Sequence, residues 1–198
     1  MRLGPILAVA IEARAPHGLR GAEIAFPSVS VGATEHLLMA AVLAEVERVL
    51  VNAAREPEIS DLATCLNAMG ARIEGIGTDR LTVRGVPSLH GARHTVIPDR
   101  IETGTYIMAV AAAGGEVRLE GARLDHIEAV VRILENADIR MREAEGGILV
   151  RRSTGRIDGV DVMTEPYPGF PTDLQAQVMA LMTIADGAAM ITETIFEN

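Results

Sequence analysis

The chain has 198 residues, a net charge of −9, one cysteine and only 3% aromatic residues. This acidic balance argues against nucleic acid as a partner, because nucleic acid binding needs a broad basic surface. A single cysteine excludes an internal disulfide, so we expect a reducing, cytoplasmic location. The apolar runs are too short to cross a bilayer, so we expect no membrane partner.

The first predicted unit begins with a helix whose apolar residues are too dense for a single face, so we expect it to be buried. Thr34 opens this helix in a position where its hydroxyl could cap the first turn. A strand over residues 46–53, an amphipathic helix from Ile59 to Met69, and strands over 71–76 and 80–85 follow. Such alternation of helical and strand periods predicts an α/β fold.

The same pattern then recurs along the chain. Thr103 lies 69 positions after Thr34, and Thr172 lies 69 positions after Thr103. The second unit continues with a strand over 115–122 and a helix over 126–136, and the third with a strand over 187–194. We also expect a short strand after each of the glycines at 21, 91 and 159. Three such copies predict units arranged around a pseudo-threefold axis, with their first helices packed inside.

Six motifs follow one another in order through these units. They are FPSVSVGAT (26–34), NAAREPEISDL (52–62), GTDRLTVRGV (77–86), PDRIETGTY (98–106), FPTDLQAQ (170–177) and ITETIFEN (191–198). Together they resemble the UDP-N-acetylglucosamine 1-carboxyvinyltransferases, from about Glu12 to the last residue. The resemblance implies part of an inside-out α/β barrel with two domains, each made of three similar units, and substrates between them. Residues 1–97 would belong to the first domain and residues 98–198 to the second.

The resemblance also implies a reaction. The enolpyruvyl group of phosphoenolpyruvate would pass to the 3-hydroxyl of UDP-N-acetylglucosamine, with release of phosphate, in the synthesis of peptidoglycan precursors. No metal or organic cofactor would be required. Asp173 would contact the sugar hydroxyl and act as the general base, a role that suits a carboxylate. Because the dipole at a helix start favours its charged form, Asp173 would orient the hydroxyl more than deprotonate it.

The nucleotide-sugar contacts implied by the resemblance lie in two regions of the chain. The first is the loop before the first helix, where hydroxyls and free backbone N–H groups suit a diphosphate or a uracil edge and glycine allows close approach. The second lies near the end of the chain, around the catalytic carboxylate. The expected contact residues are Ser28, Val29, Ser30, Val31, Gly32, Thr172, Asp173 and Ile195.

Some family segments have no counterpart in the sequence. Between LGPILA (3–8) and IEARAPHGLRGAEI (11–24), family members carry a glycine-rich loop with a reactive cysteine and an arginine that contacts phosphate. The lysine–asparagine pair and the arginine that hold phosphoenolpyruvate are also missing. We therefore expect a fragment, a degenerate copy or a truncated gene model. Its first and third units would be incomplete, and their exposed apolar faces favour self-association.

Each of these residue assignments also has a simpler structural interpretation. Asp173 could be an ordinary acidic residue in a first helical turn. The serines could form a turn or a cap, and Ile195 could be a strand core residue. Cys65 fits a small core residue rather than a reactive thiol. Charged residues at the unit junctions fit either ion pairs between domains or solvated surface charges; they are Glu56, Glu58, Asp99, Arg100 and Glu102. Alternative functions are an inert UDP-sugar-binding remnant or a shikimate-branch enolpyruvyl transferase, although SVSVGAT and ITETIFEN favour the UDP-sugar branch.

Overall fold

The computed structural model describes residues 22–152 and 155–196. The first unit, residues 22–97, contains β1 (Glu23–Ala25), α1 (Val31–Ala41), β2 (Glu47–Val51), α2 (Pro57–Ala68), β3 (Arg72–Glu74) and β4 (Arg80–Arg84). Its four strands form one sheet in the order β1-β2-β4-β3. β1 runs parallel to β2, and the other neighbours are antiparallel.

The second unit, residues 98–157, repeats this arrangement. It contains α3 (Arg100–Ala113), β5 (Glu116–Glu120), a 3-10 turn (Leu124–His126), α4 (Glu128–Asn136), β6 (Ile139–Ala144) and β7 (Gly147–Arg152). Its sheet has the order β5-β7-β6, with antiparallel neighbours throughout. In both units the first strand after the buried helix pairs with the last strand, and the middle strand lies outside it. The predicted helix–strand–helix–strand–strand order of the repeat is therefore confirmed, and the strands pair in the same way in both units.

The third unit, residues 158–196, is the start of another copy. It contains β8 (Val162–Met163), a 3-10 turn (Thr172–Leu174), α5 (Gln175–Met182) and β9 (Ile191–Thr192). β8 pairs in parallel with β9 across α5, as β1 pairs with β2 across α1. The described residues show no closed barrel.

Two hydrophobic clusters form the core. The first lies between the sheet and helices of the first unit and includes the fully buried Leu38, Leu50 and Leu81. The second joins the second and third units and includes Ile107 and Leu174. The first helices are less buried than expected: each has one face in the core, and α1 leaves Met39 exposed and α3 leaves Tyr106 exposed. No helix in the described ranges is both long enough and apolar enough to cross a bilayer.

The prediction that threonines cap the first helices was wrong. Ser30 caps α1 by accepting a hydrogen bond from the Ala33 amide, and Asp99 caps α3. Thr34 and Thr103 lie one turn further on, where each hydroxyl donates to the carbonyl four residues earlier, at 2.7 and 2.8 Å. A hydroxyl in the helix interior makes this bond because the carbonyl of the preceding turn is within reach.

Three other predictions need correction. The segment after Gly91 forms no strand; instead His94 binds the Asp61 carboxylate at 2.9 Å, which holds this segment against α2. The strand predicted over 187–194 is reduced to the two residues of β9. Cys65 is half-buried rather than a core residue, because the buried face of α2 runs through Ile59, Ala63 and Leu66. The LGPILA segment and most of IEARAPHGLRGAEI lie outside the described residues.

Candidate substrate-binding cleft

One wall of the candidate site is the loop from Ser28 to Gly32, which leads into α1. Its shape is held from below by Thr34, whose hydroxyl donates to the Ser30 carbonyl and accepts from the Ala54 amide at 3.0 Å. Thr34 is fully buried, so this support is protected from water. The loop itself is largely exposed. It therefore presents serine hydroxyls and the free amides of a helix N-terminus to the space beside it, a combination suited to an anion.

The opposite wall is the 3-10 turn before α5. Leu174 is fully buried and anchors this turn in the core, whereas the adjacent Asp173 is exposed. The expectation that Thr172 caps the helix was wrong, because its hydroxyl donates to Glu193 Oε2 at 2.8 Å. Asp173 therefore precedes α5 as an exposed carboxylate on an anchored turn, rather than lying within its first α-helical turn.

Ile195 follows β9 and belongs to the same wall. With 37% of its surface exposed, it is not the strand core residue of the simpler interpretation. Its amide donates to Glu193 Oε1 at 2.6 Å. Burial favours the neutral form of Glu193, but hydrogen bonds from the Ile195 amide, the Thr172 and Thr164 hydroxyls and the Phe196 amide outweigh it and lower the pKa of Glu193 to about 2. Glu193 is therefore a carboxylate at neutral pH.

These two walls face each other across a cleft of about 470 Å³. All eight residues expected to contact the nucleotide sugar line it, together with Glu56, Arg100, Tyr167 and others from residues 165–171. The tertiary structure thus brings together motifs from the first and third units. Their individual roles remain predictions.

Arg100 forms the floor where the units meet. Its guanidinium makes two hydrogen bonds to the Glu58 carboxylate, at 2.9 and 3.1 Å, and its side chain is only 10% exposed. The same group lies 5.9 Å from the centre of the Tyr167 ring, within the range of a cation–π contact. Burial works to lower the pKa of Arg100, but the Glu58 carboxylate, with Glu56 and Asp173 nearby, raises it overall. A bidentate ion pair therefore joins the first turns of α2 and α3 beside the cleft.

Two features of the site differ from the sequence analysis: Glu56, expected to be ion-paired or solvated, is buried, and Glu193, which lies behind the cleft wall, was not singled out. Glu56 is only 5% exposed, and its Oε2 has no hydrogen-bond partner among the described residues. Glu193 holds several donors, although sequence reasoning took only Ile195 from the ITETIFEN motif. The alternating polar residues of that motif could have drawn attention to Glu193, but they do not predict which donors bind its carboxylate.

Comparison with known proteins places these observations in a family. The family model described as EPSP synthase (3-phosphoshikimate 1-carboxyvinyltransferase) matches residues 5–198. The chain belongs to the EPSP synthase family. Proteins named UDP-N-acetylglucosamine 1-carboxyvinyltransferase are similar to it: that of Rhodospirillum centenum is 68% identical over 181 residues, 91% of this chain and 42% of the relative. That of Acidiphilium cryptum is 63% identical over 188 residues, 95% of this chain and 45% of the relative.

Solved structures of the EPSP synthase family and its relatives share the fold. The enolpyruvyl transferase NikO from Streptomyces tendae matches with a TM-score of 0.76 and 25% identity, over 85% of this chain and 40% of that one. EPSP synthase from Acinetobacter baumannii matches with a TM-score of 0.59 and 20% identity, over 88% of this chain and 41% of that one. The predicted α/β enolpyruvyl transferase fold is confirmed. The chain spans less than half the length of these relatives.

Proposed function

We propose that this chain is part of an enzyme that transfers the enolpyruvyl group of phosphoenolpyruvate to the 3-hydroxyl of UDP-N-acetylglucosamine, and that its cleft holds the UDP-sugar. The observation that carries the proposal is the shared cleft of the 28–32 loop and the Thr172, Asp173 and Ile195 wall. These segments are far apart in the sequence. Their convergence on one space is expected if both contact one ligand.

Each wall suits one end of a nucleotide sugar. The Ser28–Gly32 loop offers hydroxyls and helix N-terminal amides for the uridine diphosphate. Asp173 offers an exposed carboxylate that can accept the proton of a sugar hydroxyl or hold that hydroxyl in place. The sugar hydroxyl would then be aimed at the cation-like carbon that forms when the methylene carbon of phosphoenolpyruvate gains a proton.

The names of the relatives support the UDP-sugar branch over the shikimate branch. Relatives named for UDP-N-acetylglucosamine are 58 to 68% identical to this chain. The EPSP synthase structure is 20% identical, which concerns the fold alone. We therefore take peptidoglycan precursor synthesis as the pathway of the complete protein.

The domain division belongs to the same proposal. The first hydrophobic cluster lies within residues 38–83, and the second within residues 107–181. Separate cores on either side of the cleft support a first domain that includes residues 1–97 and a second that includes residues 98–198. Glu58 and Arg100 would then form an ion pair between the domains.

Calorimetric titration of the chain with UDP-N-acetylglucosamine, beside 3-phosphoshikimate, tests the proposal. We expect the UDP-sugar to bind and Asp173→Ala to weaken its affinity about tenfold, through loss of a charge-assisted hydrogen bond. Glu145→Ala, in an exposed turn, is the control. Preference for 3-phosphoshikimate would favour the shikimate branch, and binding of neither ligand would contradict both branches and the UDP-sugar-binding remnant.

A phosphate-release assay with both substrates separates binding from catalysis. We expect no turnover by this chain, because the residues that the resemblance assigns to phosphoenolpyruvate are not in its sequence. Loss of charge-stabilising groups at an active site costs about two to three orders of magnitude each, although not additively. Turnover at ordinary enzyme rates that Asp173→Ala abolishes would contradict this expectation.

A further inference from the structure

A network of hydrogen bonds centred on Glu193 ties together the wall that carries Asp173 and Ile195. Oε2 of Glu193 accepts from the Thr172 hydroxyl at 2.8 Å. Oε1 accepts from the Thr164 hydroxyl at 2.9 Å and the Ile195 amide at 2.6 Å. The Phe196 amide also donates to Oε1, at 3.2 Å. One carboxylate therefore holds the residue before Asp173 and the backbone of Ile195 at the same time.

The network rests on a buried base. Thr164 is fully buried, and its hydroxyl also accepts from the Thr194 amide at 2.9 Å. The Thr194 hydroxyl in turn donates to the Thr164 carbonyl. A β-bridge joins Thr164 to Phe170, at the start of the FPTD segment. Because this base is fixed to the core, the position of Glu193 follows from the fold rather than from a mobile loop.

The geometry points to Glu193 as a positioning residue of the sugar-binding wall: its carboxylate fixes the separation between Asp173 and the Ile195 backbone. This inference rests on the proposed function, which gives both groups a role at the sugar. Glu193 itself acts through its neighbours, because it does not line the cleft and its carboxylate accepts from four donors, three at Oε1 and one at Oε2. A carboxylate suits this task, since it accepts several bonds and charge-assisted bonds are about twice as strong as neutral ones.

Glutamine in place of Glu193 has nearly the same shape, but it is neutral and carries an NH₂ group in place of one carboxylate oxygen. Its oxygen can still accept from the Ile195 amide, while its NH₂ group faces Thr172, which must then rotate its hydroxyl to accept. Alanine removes both connections. If Glu193 positions the sugar-binding groups, Glu193→Ala should therefore weaken UDP-sugar binding more than Glu193→Gln does. If its only role is general stability, the binding of every ligand declines together.

The test compares two ligands on the 198-residue chain by calorimetry. UDP-N-acetylglucosamine reaches both walls, whereas UDP alone needs only the Ser28–Gly32 loop. We expect Glu193→Ala to weaken the UDP-sugar about 10-fold to 100-fold and to change UDP affinity less than threefold. The UDP-sugar affinity of Glu193→Gln should lie between those of the original chain and Glu193→Ala. Glu116→Gln, on an exposed strand, should change neither affinity.

A nuclear magnetic resonance measurement without ligand reports the network directly. The amide protons of Ile195 and Phe196 donate to a charged acceptor, so we expect their resonances to move upfield in both Glu193 variants. Thr172→Val removes one donor without touching these amides. Its effect on UDP-sugar affinity should be smaller in the Glu193→Ala background than in the original chain, since both changes break the same link.

Three outcomes would overturn the inference: unchanged UDP-sugar affinity in Glu193→Ala, equal loss of UDP and UDP-sugar affinity, or unmoved amide resonances. Should Glu193→Ala not fold, Glu193→Gln and Thr172→Val carry the same comparison. If the original chain binds neither ligand, the proposed function fails and the sugar-binding role of Glu193 fails with it. The amide resonances then still decide whether Glu193 holds Ile195 in place.

Discussion

Gly32 lies in the second position of α1 and faces the cleft. A Cβ atom added there would meet no other atom within 4 Å. Packing within the protein therefore does not require glycine at this position. Glycine is also a poor helix former, by about 1 kcal/mol relative to alanine. We therefore propose that close approach of a ligand phosphate, rather than packing, is the reason for glycine here.

Gly32→Ala should separate stability from binding. We expect the free energy of unfolding to stay the same or to rise by up to about 1 kcal/mol, while UDP-N-acetylglucosamine binds more weakly. Chemical denaturation and calorimetry measure the two effects. Gly91→Ala is the matched control, because it also has open space around it but lies outside the cleft. Equal UDP-sugar affinity in the two variants would show that the ligand does not approach Gly32.

The lowered pKa of Glu193 predicts how the stability of the chain changes at acidic pH. Its pKa is lowered from an ordinary 4.5 to about 2. A group with a lowered pKa in the folded state contributes stability above its unfolded pKa and loses that contribution as pH falls through the folded value. The difference in thermal midpoint between the original chain and Glu193→Gln should therefore be full at pH 6 and shrink between pH 4.5 and pH 2. A difference independent of pH would contradict the hydrogen-bonded carboxylate.

Packing between α3 and the 3-10 turn before α5 depends on a second glycine. A Cβ atom added at Gly104 of α3 would lie 2.4 Å from Cδ1 of Leu174. Leu174 is fully buried and follows Asp173 directly. The close contact between α3 and this turn thus anchors the turn that presents Asp173. Sequence reasoning included Gly104 in a family motif but had no means of identifying its neighbour.

Gly104→Ala should destabilise the chain, in contrast to Gly32→Ala. Overpacking a core of this kind costs about 1–3 kcal/mol, which outweighs the gain in helix propensity. We expect a lower thermal midpoint, and weaker UDP-sugar binding because Leu174 must shift. A midpoint equal to that of Gly32→Ala would mean that Leu174 adopts another rotamer at little cost.

The three repeated threonines show how accurately helix positions could be predicted from the local sequence pattern. Their spacing located α1 and α3 to within one turn, because equivalent sequences form equivalent helices. It misplaced the helix starts, since Ser30 and Asp99 are the capping residues. Thr172 differs from both other copies because Glu193 provides an acceptor that they lack. That acceptor comes from a segment 21 positions away, so repeat spacing could not reveal it.

Among the residues that the structure describes, several large apolar side chains are exposed. Leu43 at the end of α1 is 58% exposed, and Phe196 beyond β9 is 68% exposed. Others are Met39, Val46, Tyr106, Met179, Ile184 and Met190. Exposed apolar side chains that form a contiguous patch are typical of interfaces. Relatives more than twice as long contain further sequence, so we propose that these side chains lie at contacts between units.

The isolated chain should therefore self-associate. We expect sedimentation velocity to show species larger than a monomer that increase with concentration, because burial of apolar side chains drives association. The double variant Met39→Lys, Leu43→Lys should shift the distribution towards the monomer. Thr64→Lys, on the exposed part of α2, adds charge without removing apolar surface and serves as the control. A monodisperse monomer at all concentrations would contradict the prediction.

The sequence by itself determined the repeat, the α/β order of elements and the resemblance to the enolpyruvyl transferases. These features are local, because hydrophobic periodicity and contiguous motifs can be recognised without knowing which segments meet. Only the tertiary structure decided that the Ser28–Gly32 loop and the Asp173 wall share a cleft, that Arg100 joins Glu58 beside it, and that Glu193 binds Thr172. Each of these depends on packing between distant segments, where a shift of a few ångströms breaks a hydrogen bond without changing any local pattern.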